Sequence, residues 1–286
     1  MSAADTIARG AARLTAAGRR RAERALGHAR VRLPWRASGR APADAIVSLT
    51  SHPARIEAAW PALRSVLRQS RPAARVILVL STAEFEDRRL PPRVAALEHD
   101  GLEVMWVEQD ARSYLKLVPV LAAEPEAVIV TADDDMLYPG WWLERLLAAH
   151  RERPGTILAH RAHRIRLRAD GRPLPYLEWG HARLETPSER VFPTGVGGVL
   201  YPPGSLSDVA LDTELALSLA PTADDIWFWI AGRVAGSSRG VVSDRFQEFA
   251  MVRGSHRDAL MDVNVAAAQN DLQLERCLAH FGLRID

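Results

Sequence analysis

Val128-Ile129-Val130-Thr131-Ala132-Asp133-Asp134-Asp135, followed by Met136-Leu137-Tyr138-Pro139-Gly140, is the stretch whose reading decides the fold. Residues 127–130 are apolar, β-branched and unbroken, the pattern of a short strand buried on both faces of a parallel sheet. In such sheets ligands sit in the crevice beyond the carboxyl ends of the strands. Three adjacent carboxylates in that position repel one another unless a cation neutralises them. A hard divalent ion such as Mg²⁺ or Mn²⁺ takes oxygen ligands and is often shared with substrate phosphates. The competing reading is a solvated acidic turn, with one Asp capping the helix that starts near Trp141.

Working outward, strand and helix patterns alternate. Residues 44–49 read as a first strand, and 50–53 as a turn with a capping hydroxyl and a proline at a helix start. Ile56, Trp60, Leu63 and Leu67 follow at spacings of four, three and four, one buried helical face. Strands are expected over 75–80 and 102–107, with a short segment over 90–97 between them. Helices are expected over 114–121 and 141–150. This rhythm is that of an α/β fold with a mostly parallel sheet and right-handed crossovers. It breaks after about residue 151. Residues 156–163 read as another strand, 171–175 as a turn, and 206–219 and 223–235 as helical. A long amphipathic helix or helix pair is expected over 258–281. Residues 191–204 pack four glycines and three prolines into fourteen positions. Glycines let backbone approach a ligand and prolines fix loops, so this is a candidate substrate wall, or else a bulge and turn region with no ligand.

The charge is unevenly placed. Residues 1–43 hold ten arginines against Asp5 and Glu23, a net +8, which leaves residues 44–286 at −6 within an overall +2. A basic Ala/Arg leader over 1–43, followed by one catalytic domain over 44–286, is the expected organisation. The leader could lie as a helix on anionic lipid, form a basic tail, or pack on the body. The body has neither a basic stripe nor a nucleic-acid motif, so no nucleic-acid partner is expected. No apolar run approaches the ~20 residues of a membrane span, and no secretory h-region is present. Cys277 is the only cysteine, which excludes an intrachain disulfide and a Cys-based metal site. A cytoplasmic protein, with peripheral membrane contact at most, is the expectation. Lys116 is the only lysine among 37 basic side chains. A chain so biased toward arginine keeps a lysine where a compact ammonium is needed.

A second acidic pair, Asp224-Asp225, precedes the aromatic-rich Ile226-Trp227-Phe228. Such a pair can be only a cap and dipole partner. Together with Asp133–Asp135 it suggests a general base held opposite a metal–phosphate site.

Here the chain resembles a nucleotide-sugar-dependent glycosyltransferase of the GT-A fold, family 2-like, of the bacterial surface-polysaccharide type. The resemblance rests on VSLTSHPARI (47–56), SYLKLVPVL (113–121), VIVTADDDMLYPGWWLERL (128–146), HRAHRI (160–165), PTGVGGVLYPPGSL (193–206), PTADDIWFW (221–229) and QNDLQ (269–273). These stretches span roughly residues 45–275 in the family's order. It implies that Asp133 and Asp135 form a DxD pair, with Asp135 the direct ligand of Mn²⁺ or Mg²⁺ and Asp133 nearer the ribose or the metal's waters. It implies a donor site built from Thr50, Ser51, Arg55, Ser113, Tyr114, Lys116, Asp133 and Asp134. Gly197 and Gly198 would line the sugar–acceptor pocket. Asp225 would take the proton from the acceptor hydroxyl, and Asp224 would orient it or contact the acceptor. His256 is a candidate third metal ligand, although its segment does not clearly match the family's pattern. The implied reaction moves a sugar, a hexose by type, from a nucleoside diphosphate donor (uridine by default) to a glycan or glycolipid with inversion.

Three other classes fit parts of the pattern. A metal-dependent phosphatase or phosphotransferase also uses strand-end carboxylates, but Leu137 stands where it wants Thr or Val, and the only lysine precedes the motif. A nucleotidyltransferase usually carries a Gly-rich loop after the first strand, and residues 50–55 contain no glycine. A non-catalytic nucleotide-sugar-binding protein would not need both acidic sites.

Overall fold

The computed structural model describes Gly27, Val31, residues 39–253 and residues 269–285. Most of the basic leader, residues 258–268 and His256 lie outside the described residues. The strands are β1 (Ala43–Thr50), β2 (Ala73–Ser81), β3 (Leu102–Val107), β4 (Ile129–Thr131), β5 (Met136–Leu137), β6 (Ile157–Ala159), β7 (Ala162–Arg164), β8 (Gly180–His181), β9 (Val191–Pro193), β10 (Val199–Tyr201), β11 (Arg239–Val241) and β12 (Ala250–Met251). The helices used below are α1 (Ile56–Leu67), α2 (Val118–Ala123), α3 (Trp142–Glu152), α4 (Thr213–Leu219), α5 (Asp224–Val234) and α6 (Gln269–Phe281).

A seven-stranded sheet runs in the order β11-β6-β10-β4-β1-β2-β3. Every neighbouring pair in it is parallel except those made by β10, which is antiparallel to both β4 and β6. The mostly parallel α/β architecture read from the sequence is therefore present. The central runs of β1, β2 and β4 are mostly apolar because both faces are covered, while Arg75 of β2 and Glu103 of the edge strand β3 reach solvent and pair with each other. Side chains alternate between the faces, as period two requires. Ile77 and Val79 enter the core shared with α2, α5 and α6, while Val76, Leu78 and Leu80 enter the one shared with α1 and α3. Ile129 and Val130 divide between the two cores in the same way, and both are fully buried.

Two expected helices are each split. Residues 114–121 become a 3₁₀ turn, Arg112–Lys116, and then α2, with the break at Leu117 ahead of Pro119. Proline is tolerated in the first turn of a helix but cannot donate within one, so the chain restarts there. Residues 206–219 become a 3₁₀ turn, Asp208–Leu211, and α4, restarted by Asp212, whose carboxylate accepts from the Leu215 amide at 2.9 Å. The helix near Trp141 has no side-chain cap. The capping role considered for the Asp133–Asp135 run is thus not the one these residues play.

A three-stranded antiparallel sheet, β8-β7-β9, and the two-stranded β12-β5 stand beside the main sheet. No helix among the described residues is long and apolar enough to cross a membrane.

The turn into β10 depends on Gly198. Its φ is +89°, and a Cβ there would lie 2.5 Å from the Trp142 ring and 3.0 Å from the Thr131 carbonyl oxygen. Gly198→Ala combines left-handed strain with overpacking against sheet backbone. It is expected to lower the unfolding free energy by about 2–4 kcal/mol, read as a lower urea midpoint at unchanged slope.

Candidate functional site

The sheet order reverses between β1 and β4, the place where a doubly wound sheet opens a crevice. The register Ile46↔Ile129, Val47↔Val130 and Ser48↔Thr131 sets the two strand ends level. The segments that follow therefore leave the sheet side by side and line a cavity of about 840 Å³. The three aspartates diverge. Asp134 turns back into the first loop, accepting from Ser51 Oγ at 2.5 Å and Arg55 Nη1 at 3.0 Å. Its side chain is 7% exposed, against 20% for Asp133 and 16% for Asp135, so Asp134 braces the two loops while its neighbours face the cavity. Arg55 Nη1 also reaches Asp135 Oδ2 at 3.3 Å. The Asp133 amide donates to Tyr138 Oη at 2.7 Å, and the Tyr138 amide in turn donates to Ser65 Oγ at 3.0 Å. This tether to α1 fixes where the acidic run leaves the sheet.

Across the cavity, α5 begins with the second acidic pair. Lys116 Nζ lies 2.8 Å from Asp224 Oδ2 and 3.1 Å from Asp133 Oδ1, joining the two acidic segments. Burial works against the ammonium, but Asp133, Asp224 and Asp225 outweigh it and hold Lys116 well above the ordinary lysine range. Asp225 Oδ1 accepts from the Gly195 amide at 2.8 Å. Burial and the neighbouring Asp224 push Asp225 up to about 7, with Lys116 opposing. Burial, then Asp133 and Asp134, lift Asp135 to about 7 as well.

The residues expected from sequence sort as follows. Thr50, Ser51, Arg55, Ser113, Lys116, Asp133, Asp134, Asp135, Asp224 and Asp225 all line the one cavity. Thr50 Oγ1, however, donates to the Val79 carbonyl at 2.9 Å and is held by the sheet. Tyr114 is corrected: it is fully buried and donates its hydroxyl to the Ala220 carbonyl at 2.6 Å, so it packs α4 and α5 against the sheet instead of facing a ligand. Gly197 and Gly198 are corrected too. Neither lines the cavity; Gly197 backs onto the Phe249 ring and accepts from Trp142 Nε1 at 2.6 Å, while Gly198 backs onto that indole. The glycine that matters at the wall is Gly195, where a Cβ would stand 2.7 Å from Lys116 Nζ and 2.8 Å from Asp225 Oδ1. Arg161, Tyr176 and Thr194 also line the cavity and carried no role in the sequence reading. Arg161 and Thr194 were present only as members of motif blocks, and Tyr176 lay in none.

Among the described residues no group of three or more His, Cys, Asp and Glu converges as a cation site. Asp133 and Asp135 are nonetheless two hard oxygen donors facing the cavity, and a cation would offset both the burial and the crowded negative charge that lift Asp135. Two carboxylates suit an ion such as Mg²⁺, which is commonly completed by water and substrate phosphates. The donor set therefore fits Mg²⁺ or Mn²⁺.

The sequence matches no family model and no curated protein. Solved structures with partial likeness include Staphylococcus aureus TarS residues 1–349 (16% identity, TM-score 0.44, covering 72% of this chain and 59% of that one). S. aureus TarS in a second structure gives 16% identity and a TM-score of 0.48, covering 72% and 36%. CMP:2-keto-3-deoxy-manno-octonic acid synthetase complexed with CTP gives 15% identity and a TM-score of 0.40, covering 84% and 100%. The chain thus spans 59% and 36% of the two TarS chains. Likeness at this level assigns this chain no activity.

Removing the ammonium would strand Asp133, Asp224 and Asp225 without their shared counter-charge. Lys116→Met is expected to cost about 3–5 kcal/mol at pH 8, and less as the pH falls through 7 and Asp225 takes up its proton. The Asp225 carboxyl titrates near 7 when folded and near ~3.9 when unfolded, so the stability from its raised pKa is present at low pH and lost as pH rises through 7. In EDTA, the Tm of Asp225→Asn minus that of wild type is therefore expected to grow between pH 4 and pH 7 and level off above. A difference independent of pH would contradict this electrostatic picture.

Proposed function

We infer that this chain is a metal-dependent glycosyltransferase of the GT-A type that moves a sugar from a nucleoside diphosphate donor, uridine by expectation, to a hydroxyl of a glycan or glycolipid with inversion. The observation that carries the reading is the opposition, across one cavity, of two cavity-facing aspartates and a third carboxyl group poised near neutrality. Asp133 and Asp135 stand at the β4 end, and Asp225 stands at the start of α5. A cavity of about 840 Å³ lies within the range of substrate-sized clefts.

Under this reading Ser113, Arg55 and Lys116 surround the diphosphate side of the donor. A Mn²⁺ or Mg²⁺ ion held by Asp133 and Asp135 would supply Lewis-acid neutralisation of the departing diphosphate. Asp225, with Oδ1 fixed by the Gly195 amide, takes the proton of the acceptor hydroxyl. The hydroxyl oxygen forms the new bond to the anomeric carbon as the bond from that carbon to the phosphate oxygen breaks. A base titrating near 7 is matched to that proton transfer at neutral pH. Asp224 is engaged by Lys116 and positions the ammonium instead of touching the proton.

A thermal-shift titration with UDP, in Mn²⁺ or in EDTA, tests the donor site. A ligand at a hundred times its Kd stabilises by about 2.7 kcal/mol. The expected result is a metal-dependent rise in Tm, lost in Asp135→Ala and kept in Asp225→Asn. The latter variant is expected to lose roughly 10²–10⁴-fold in transfer. No metal-dependent shift with any nucleoside diphosphate would overturn the reading.

A further inference from the structure

The cavity holds four cationic side chains, and they are not equivalent. Arg55 and Lys116 are engaged with carboxylates at the acidic floor. Arg112 stands at the mouth beside Ser113. Arg161 stands on the opposite wall, in the short connection between β6 and β7, and no ion pair to it is present among the described residues.

Its guanidinium is nevertheless firmly placed. Nη1 donates to Thr194 Oγ1 at 3.0 Å, and the group lies over the Phe246 ring at 5.0 Å from its centre. Thr194 is itself pinned, its amide donating to the Arg161 carbonyl at 3.1 Å and its hydroxyl to the same oxygen at 3.3 Å. A guanidinium has five N–H donors in a planar fork suited to carboxylate and phosphate oxygens. One is committed here to a neutral hydroxyl. Burial and the Arg161 charge hold His163 and His181 below the ordinary histidine range, while Glu248, which also lines the cavity, acts on His181 in the opposite sense.

Position makes this a substrate feature. Thr194, which holds Arg161, is followed by Gly195, whose amide holds the Asp225 carboxylate. The Arg161 guanidinium and the Asp225 carboxylate are thus anchored by consecutive residues of one segment. Tyr176 senses both groups: burial and Asp225 raise its pKa while Arg161 opposes.

We propose that Arg161 is an anion-recognising acceptor subsite, so that the hydroxyl delivered to Asp225 belongs to, or adjoins, a sugar carrying a carboxylate or phosphate group. This rests on the glycosyltransferase reading for the identity of the bound molecule as an acceptor. The selectivity for negative charge rests on the Arg161–Thr194–Phe246 geometry alone.

The test titrates the full chain with methyl glucuronide, glucose 6-phosphate and methyl glucoside by isothermal calorimetry, with and without saturating UDP and Mn²⁺. With UDP present the donor's phosphate site is filled, so glucose 6-phosphate cannot register there. The proposal expects one or both anionic probes to bind roughly tenfold or more tightly than the glucoside. That preference disappears in Arg161→Gln, while the UDP–Mn²⁺ shift stays. The two anions separate the carboxylate from the phosphate source. Equal binding of all three probes, binding of none, or a preference that survives Arg161→Gln would overturn it. Absence of the UDP shift alone would instead remove the transferase reading and leave the anion selectivity to be read from the titrations without nucleotide.

Discussion

Lys116 is charged and buried at once, and the placement of the acidic groups around it follows from that demand. Taking an ammonium out of water costs several kcal/mol unless close counter-charges replace the solvent. Asp133 and Asp224 do so at 3.1 and 2.8 Å, one from the end of β4 and the other from the start of α5. The same ion pairs that make the lysine tolerable pull together two acidic segments more than ninety positions apart in the chain. Arg55 does the corresponding work for Asp134 and Asp135. Two cations thus serve five carboxylates. Burial, together with that deficit, raises Asp135 and Asp225 to about 7.

The sheet order explains how this crowding comes about. β1 and β4 lie side by side and end level, so their following loops share a crevice. β10 enters between β4 and β6 in the opposite direction. The residues that precede it therefore arrive at the same end from which the parallel strands depart. This reversal brings Thr194 and Gly195 to the acidic groups, and a wholly parallel strand would have carried them to the far side.

Much of this was legible in the sequence. β1, β2, β3 and β4 are continuous apolar runs long enough to show burial on two faces, and α1, α3 and α5 carry clear starts or faces. Lys116 stood out because arginine fills every other basic position. What the residues could not reveal depends on pairing and packing. Gly195, Gly197 and Gly198 look alike in sequence. The distinction between a cavity wall and a backing contact appears only when β10 is set against β4 and Trp142 is packed beneath the turn. Tyr114 beside Lys116 read as a ligand contact, yet a 3₁₀ turn sends adjacent side chains in different directions, one into the core and one into the cavity. Arg161 was invisible as a site because its meaning comes from its having no ion pair among the described residues.

The burial of Lys116 also has a consequence for the chain's surface. Its side chain carries the only ε-amino group anywhere in these 286 residues, and the residue is 6% exposed. Acyl transfer, ubiquitin attachment and crosslinking directed at lysine all require a reachable, unprotonated ε-amino group, and the one in this sequence is enclosed and held firmly protonated. Among the described residues every exposed Lys or Arg side chain is thus a guanidinium, to which lysine-directed chemistry is blind.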